Sequence, residues 1–177
     1  DMGPLVTRAH RDKVAGYVDK GVAEGAKLVL DGRSVQKGED GFFLGASLFD
    51  RVTPAMTIYK DEIFGPVLIV LRVKTLDEAI QMINANPYAN GTAVFTRSGG
   101  AARKFEREID VGMVGVNVPI PVPIAFYSFG GWRSSLFGDQ HVHGMEGVRF
   151  YTRGKVVTTR WPDANALAQG FNMPTLG

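Results

Sequence analysis

The spacing of apolar positions divides the chain into helical and extended stretches that alternate. From Thr7 to Glu24, Val14, Tyr17, Val18 and Val22 recur at helical spacing with charges between them, and Gly25 can end the run. Lys27 to Leu30 reads as a short strand stopped by the turn dipeptide Asp31-Gly32. Ser34 to Gly41 is a polar loop, and Phe42 to Phe49 returns as an extended apolar segment. Met56 to Phe64 leads into Val67 to Val73, whose near-continuous apolar character suits a strand covered on both faces. Thr75-Leu76-Asp77-Glu78 is a capping box, and the helix it opens is stopped by Asn86-Pro87. A strand over Thr92 to Thr96, a basic helix over Gly99 to Ile109 and a strand over Val111 to Val118 follow. This rhythm predicts an α/β fold, an open, twisted, mostly parallel sheet flanked by helices.

Beyond Val118 the texture changes. Pro119, Pro121 and Pro123 alternate with Ile120, Val122 and Ile124, an extended segment that cannot be a central strand. Ala125 to Gly138 is rich in aromatics and glycine and reads as a long functional loop. Gly144 to Phe150 suits a short helix. Lys155 to Trp161 alternates like a strand, Pro162 ends it, and Asp163 to Gly177 is a tail.

Composition narrows the class. The 177 residues, 45% of them hydrophobic, suit one domain or a large piece of a bigger one. The net charge of +2 comes from 20 basic and 18 acidic residues mixed along the chain, so neither nucleic acid nor an anionic membrane is expected as a partner. No apolar run approaches the roughly 18 residues of a membrane span. Asp1-Met2-Gly3-Pro4 lacks the basic and apolar regions of a secretory signal. With 0 cysteines, disulfides and thiolate zinc sites are excluded, which fits the cytoplasm or, in a eukaryote, the mitochondrial matrix. The chain opens inside what reads as a loop, so a fragment of a longer protein is expected.

The candidate chemistry begins at Lys60-Asp61-Glu62-Ile63-Phe64-Gly65-Pro66-Val67. A carboxylate at Glu62 can accept from both hydroxyls of a ribose diol, and Phe64 can pack against a planar ring beside it. The alternative is a solvated Glu62 and a core Phe64. The second candidate is the loop Phe126 to Ser135, where aromatics on Gly130-Gly131 make an apolar mouth for a small substrate or simply pack the loop down. His141 and His143 alternate but lack a convincing third metal ligand, so surface or supporting roles are expected. Ser98-Gly99-Gly100 before a helix can receive a phosphate, but it has neither P-loop nor G-x-G-x-x-G spacing and reads as an ordinary helix start. No G-x-S-x-G supports a serine nucleophile, and His10 has no visible catalytic context. The Lys155 to Trp161 strand suits pairing either with another chain or with an edge of its own sheet.

Four segments in order carry a family resemblance. Asp61-Glu62-Ile63-Phe64-Gly65-Pro66-Val67 resembles the motif that follows the catalytic cysteine in the aldehyde dehydrogenase superfamily. Gly112-Met113-Val114-Gly115-Val116-Asn117 is similar to its G-x-V-x-V-N strand. Ser128-Phe129-Gly130-Gly131-Trp132-Arg133-Ser134-Ser135 resembles its P-F-G-G-x-x-x-S loop, with Ser128 in place of proline. Tyr151-Thr152-Arg153-Gly154-Lys155-Val156-Val157 is similar to its Y-T-x-x-K-x-V ending. Within the superfamily, the run Val116 to Ile124, Phe137-Gly138-Asp139 and the closing Met173 to Gly177 resemble the CoA-acylating methylmalonate-semialdehyde dehydrogenase subfamily.

The resemblance implies that residues 1–153 are the C-terminal part of the catalytic domain, 154–162 an oligomerisation strand and 163–177 a tail. It implies NAD as cofactor, coenzyme A as co-substrate and a homo-oligomer built through the 155–161 strand. The implied reaction is attack of a cysteine thiolate on methylmalonate or malonate semialdehyde, hydride transfer to the nicotinamide, loss of the carboxylate carbon, and transfer of the acyl group to CoA. Glu62 would hold the nicotinamide ribose, Phe64 would lie beside the nicotinamide, and Ser128 and Phe129 would line the aldehyde entrance. Arg133 is given no substrate role. The nucleophile and most of the dinucleotide-binding region find no counterpart, so this chain should be inactive alone. The competing expectation is a non-catalytic assembly module of the same fold.

Overall fold

The computed structural model describes residues 2–35 and 41–161. The chain forms two units, Asp1–Ala79 and Ile80–Gly177.

In the first unit Thr7 caps helix α1 (Arg8–Ala23), its hydroxyl accepting the His10 N–H at 3.1 Å. Such caps contribute about 1 kcal/mol. Gly25, at φ 91, supplies the left-handed residue that ends the helix. Strand β1 (Lys27–Leu30) pairs antiparallel with β2 (Ser47–Asp50), and β2 pairs parallel with β3 (Val67–Ile69). A turn of 3-10 helix at Gly32–Ser34 crosses β2 closely. A Cβ on Gly32 would lie 1.9 Å from the Gly45 carbonyl oxygen, and the Gly32 N–H donates to the buried Ser47 hydroxyl at 3.0 Å. Val14 and Val18 of α1 close over Phe49, all fully buried, with Ile58 and Ile63 beside them. Each such side chain contributes about 1.5–3 kcal/mol. Helix α2 (Thr57–Lys60) is a single turn, tied to the end of α1 because Glu24 accepts from both the N–H and the hydroxyl of Thr57.

Helix α3 (Leu76–Asn84) spans the boundary between the units. Its box departs from the expected form. Thr75 accepts the Glu78 N–H at 3.1 Å, but the Glu78 carboxylate takes the N–H of Lys74 instead of that of Thr75, at 2.8 Å. In the second unit β4 (Tyr88–Ala89) pairs antiparallel with β7 (Trp132–Arg133). Strands β5 (Gly91–Val94) and β6 (Met113–Val116) pair parallel, with helix α4 (Gly99–Glu108) connecting them. Phe105, on the inner face of α4, is buried with Ile109 and Val111. Helix α5 (Met145–Tyr151) is the short helix expected near Gly144.

The α/β expectation holds, with a difference in continuity. Parallel pairs are present at β2–β3 and β5–β6, but they lie in separate small sheets alongside the antiparallel β1–β2 and β4–β7. The Lys155–Trp161 strand does not form within this chain. Val156 and Trp161 are 94% and 90% exposed, and no ladder partner reaches them among the described residues. A strand exists through its hydrogen-bonded neighbour, and alternation supplies only the propensity. The tail at 163–177 lies outside the described residues.

Candidate functional site

The stretch from Asp61 to Gly65 links α2 to β3. Ile63 turns inward and is buried, which drives its neighbours Glu62 and Phe64 outward. Phe64 is 79% exposed and does not enter the core of this unit. Its φ is 57°, a left-handed backbone that costs an L-residue roughly 1–2 kcal/mol. One face of α1 holds this geometry, through residues at helical spacing. Tyr17 donates its hydroxyl to the Asp61 carboxylate at 2.9 Å. His10 Nε2 lies 2.8 Å from the Phe64 carbonyl oxygen. A carbonyl only accepts, so Nε2 carries the proton. Between them Val14 packs on Gly65, where a Cβ would come within 2.6 Å of the valine. The hydrogen bond to Asp61, followed by burial and the carboxylate's charge, holds the Tyr17 hydroxyl above its ordinary value of 10.0, so it stays a protonated donor.

Glu62 is left unengaged. It makes no hydrogen bond or ion pair among the described residues and stands exposed. Both carboxylate oxygens are available to accept from two neighbouring hydroxyls, while the exposed Phe64 ring offers an apolar face to a planar heterocycle. These residues fit the ribose and ring of a nicotinamide nucleotide.

In the second unit, the loop at 126–138 is fastened at several points. Arg133 sits at φ 52°, and its guanidinium donates to the carbonyls of Asn84 (2.7 Å), Asn86 (2.8 Å) and Asp110 (2.6 Å). Those bonds fasten the guanidinium to the backbone of three neighbouring segments. The Ser135 hydroxyl accepts the Ala89 N–H at 3.0 Å, and Ser134 N–H donates to Pro87. Gly112 admits Gly130 at backbone distance, since a Cβ there would be 2.1 Å from the Gly130 oxygen.

Ser128 and Phe129 are held by the following segment. The Ser128 hydroxyl donates to Glu146 and lies 3.4 Å from His141 Nδ1. The Phe129 ring stacks on His143, with centroids 4.2 Å apart and planes 5° from parallel. His141 and His143 therefore support the loop. Among the described residues no three His, Asp or Glu side chains form a group suited to a metal ion. Ser98 spends its hydroxyl as the cap of α4, accepting from Ala101 N–H at 3.2 Å, as an ordinary helix start does. The adjoining concavity of about 270 Å³ is lined by Gly131, Trp132, Arg133, His141 and Glu146 among others, and not by Ser128 or Phe129.

The structure thus gathers residues that sequence reasoning left apart. His10, Val14 and Tyr17 were legible as one face of a helix, but nothing local showed what that face holds. His141 and His143 stood out by their alternation, with surface or supporting roles expected, while for Glu146 the only signal was its nearness in sequence to an aromatic loop.

Residues 1–157 match the aldehyde dehydrogenase family. Malonate-semialdehyde dehydrogenase of Pseudomonas aeruginosa is 64% identical over 99% of this chain, which spans 36% of that protein. The crystal structure of methylmalonate-semialdehyde dehydrogenase from Oceanimonas doudoroffii is 55% identical, with a TM-score of 0.89 over 94% of this chain and 34% of its own. A Sinorhizobium meliloti protein complexed with NAD is 52% identical, with a TM-score of 0.88 over 93% of this chain and 34% of its own. The chain therefore spans about a third of the length of the relatives it matches. With the Glu62–Phe64 loop, the parallel β5–β6 pair and the fastened aromatic loop all falling inside the matched residues, the chain belongs to the aldehyde dehydrogenase family.

Proposed function

We propose that this chain is a segment of an NAD-dependent, CoA-acylating dehydrogenase of methylmalonate or malonate semialdehyde. The observation that carries the reading is the pair Glu62 and Phe64, exposed side by side on a loop that α1 holds at both ends. Glu62 would accept from the nicotinamide-ribose hydroxyls, and Phe64 would cover one face of the ring. Bound NAD would supply the hydride acceptor. Ser128 and Phe129 would line the aldehyde entrance, fixed by Glu146 and His143. Coenzyme A would be the acyl acceptor, and a cysteine outside these 177 residues the nucleophile, since the chain has 0. The exposed Lys155–Trp161 segment, short of a ladder partner here, would pair with a neighbouring subunit in a homo-oligomer. The 64% identity to a malonate-semialdehyde dehydrogenase supports the substrate class.

The test is to complete this chain with the remainder of the Pseudomonas aeruginosa relative and assay NADH formation from malonate and methylmalonate semialdehydes, with and without CoA. CoA-dependent NADH formation is expected. Glu62→Gln should lower kcat by about tenfold and weaken NAD binding, because the amide replaces one acceptor oxygen with a donor. A folded hybrid without turnover would favour the non-catalytic assembly module. Unchanged NAD affinity and rate in the Glu62→Gln variant would remove Glu62 from the site.

A further inference from the structure

We propose that His10 is a positioning residue for the cofactor-side loop, acting through the backbone of Phe64. The inference rests on the reading of Glu62 and Phe64 as nicotinamide-nucleotide contacts and adds a residue to which that reading gives no part.

Phe64 occupies a left-handed backbone at φ 57°, which a phenylalanine does not adopt unless its surroundings hold it there. The peptide plane that follows Phe64 has its oxygen fixed by His10 Nε2 at 2.8 Å. The next residue, Gly65, rests against Val14, one turn along the same face of α1 and fully buried. His10 is itself placed by the helix start, since its N–H is bonded to the Thr7 cap. Without the imidazole bond ψ at Phe64 is no longer pinned, and the left-handed backbone that faces the side chain outward loses one of its restraints. The other end of the loop has a separate tether, the Tyr17 bond to Asp61. Loss of the His10 bond should therefore disturb Phe64 while leaving the Asp61–Glu62 end in place.

The geometry makes the imidazole a donor, and glutamine can replace that function because its amide N–H reaches a similar distance from the backbone. His10→Leu removes the donor, and His10→Gln restores it. Both variants are made in the completed hybrid enzyme. Two readouts are used. The first is hydrogen–deuterium exchange of the Ile63–Gly65 segment in the absence of nucleotide. The second is the split between kcat and the KM for NAD.

Exchange in that segment should rise in His10→Leu, stay near the parent in His10→Gln, and remain unchanged at the Tyr17-tethered Asp61 amide. In His10→Leu, kcat should fall about tenfold with KM for NAD changed by less than about threefold, and His10→Gln should recover most of the rate. In a Phe64→Ala background His10→Leu should add little, because the two act through one path. Equal losses in the leucine and glutamine variants, unchanged exchange in His10→Leu, or full additivity with Phe64→Ala would each overturn the proposal. Glu62→Gln separates this failure from a wider one. If Glu62→Gln slows turnover and His10→Leu does not, only the role of His10 falls. If neither does, the nucleotide reading of the loop falls with it.

Discussion

Asp31 and Arg33 form a bidentate charged contact in the first unit. The Arg33 guanidinium donates to both Asp31 carboxylate oxygens, at 2.9 and 2.6 Å, and its N–H donates to one of them at 3.0 Å. These bonds hold the Asp31 carboxyl at about 2, below its ordinary 3.8. The same arginine also reaches Asp19, and its own proton affinity rises in response to the two carboxylates. The ionised carboxylate is the form bonded in the folded state, so its contribution is complete above 3.8 and is lost as pH falls toward about 2. Asp50, lowered by its bonds to Arg72 and to the Arg51 N–H, acts in the same direction. Urea midpoints measured through that acid range should fall less steeply for Asp31→Asn than for the parent chain. An identical slope would mean that the pair is matched in the unfolded state. Both groups are partly exposed, so the effect is modest.

At the scale of elements, the fit between α1 and the loop at 61–65 is the tightest contact with a bearing on function. Gly65→Ala would place a methyl 2.6 Å from Val14, which has no space to move into. The variant should lose about 1–3 kcal/mol in denaturant unfolding. Combined with Val14→Ala it should lose less than the sum of the two single changes. Additive losses would show that the loop moves away instead of pressing on the helix.

The elements that sequence alone revealed are those with a repeating signal. Helix α1 was legible from Val14, Tyr17 and Val18, and α3 and α4 from their caps at Thr75 and Ser98. Helix α2 was not, because four residues make one turn and display no period. The β4–β7 ladder was not either. It joins two-residue strands distant in sequence, held largely by Arg133 and Ser135 and not by alternation. At the site, Glu62, Phe64, Ser128 and Phe129 were legible as motif positions. What holds each of them was hidden, since His10, Glu146 and His143 act across contacts that no local pattern encodes.

Across the whole molecule, the first unit carries one small sheet and the second carries two, all with open edges, in a chain about a third as long as its relatives. The β-branched segment Lys155–Trp161 belongs to none of these sheets. Deleting it from the completed enzyme should reduce oligomer size in sedimentation while leaving the folded subunit intact. An unchanged sedimentation coefficient would count against its role in assembly.

That segment, with Val156 94%, Val157 73% and Trp161 90% exposed, also bears on what a melting temperature would mean for this protein. If its backbone groups are satisfied by a neighbouring subunit, folding and assembly obey one mass-action equilibrium. Dilution would then lower the thermal midpoint as surely as heat unfolds the chain, and a stability quoted without a protein concentration would have no fixed value.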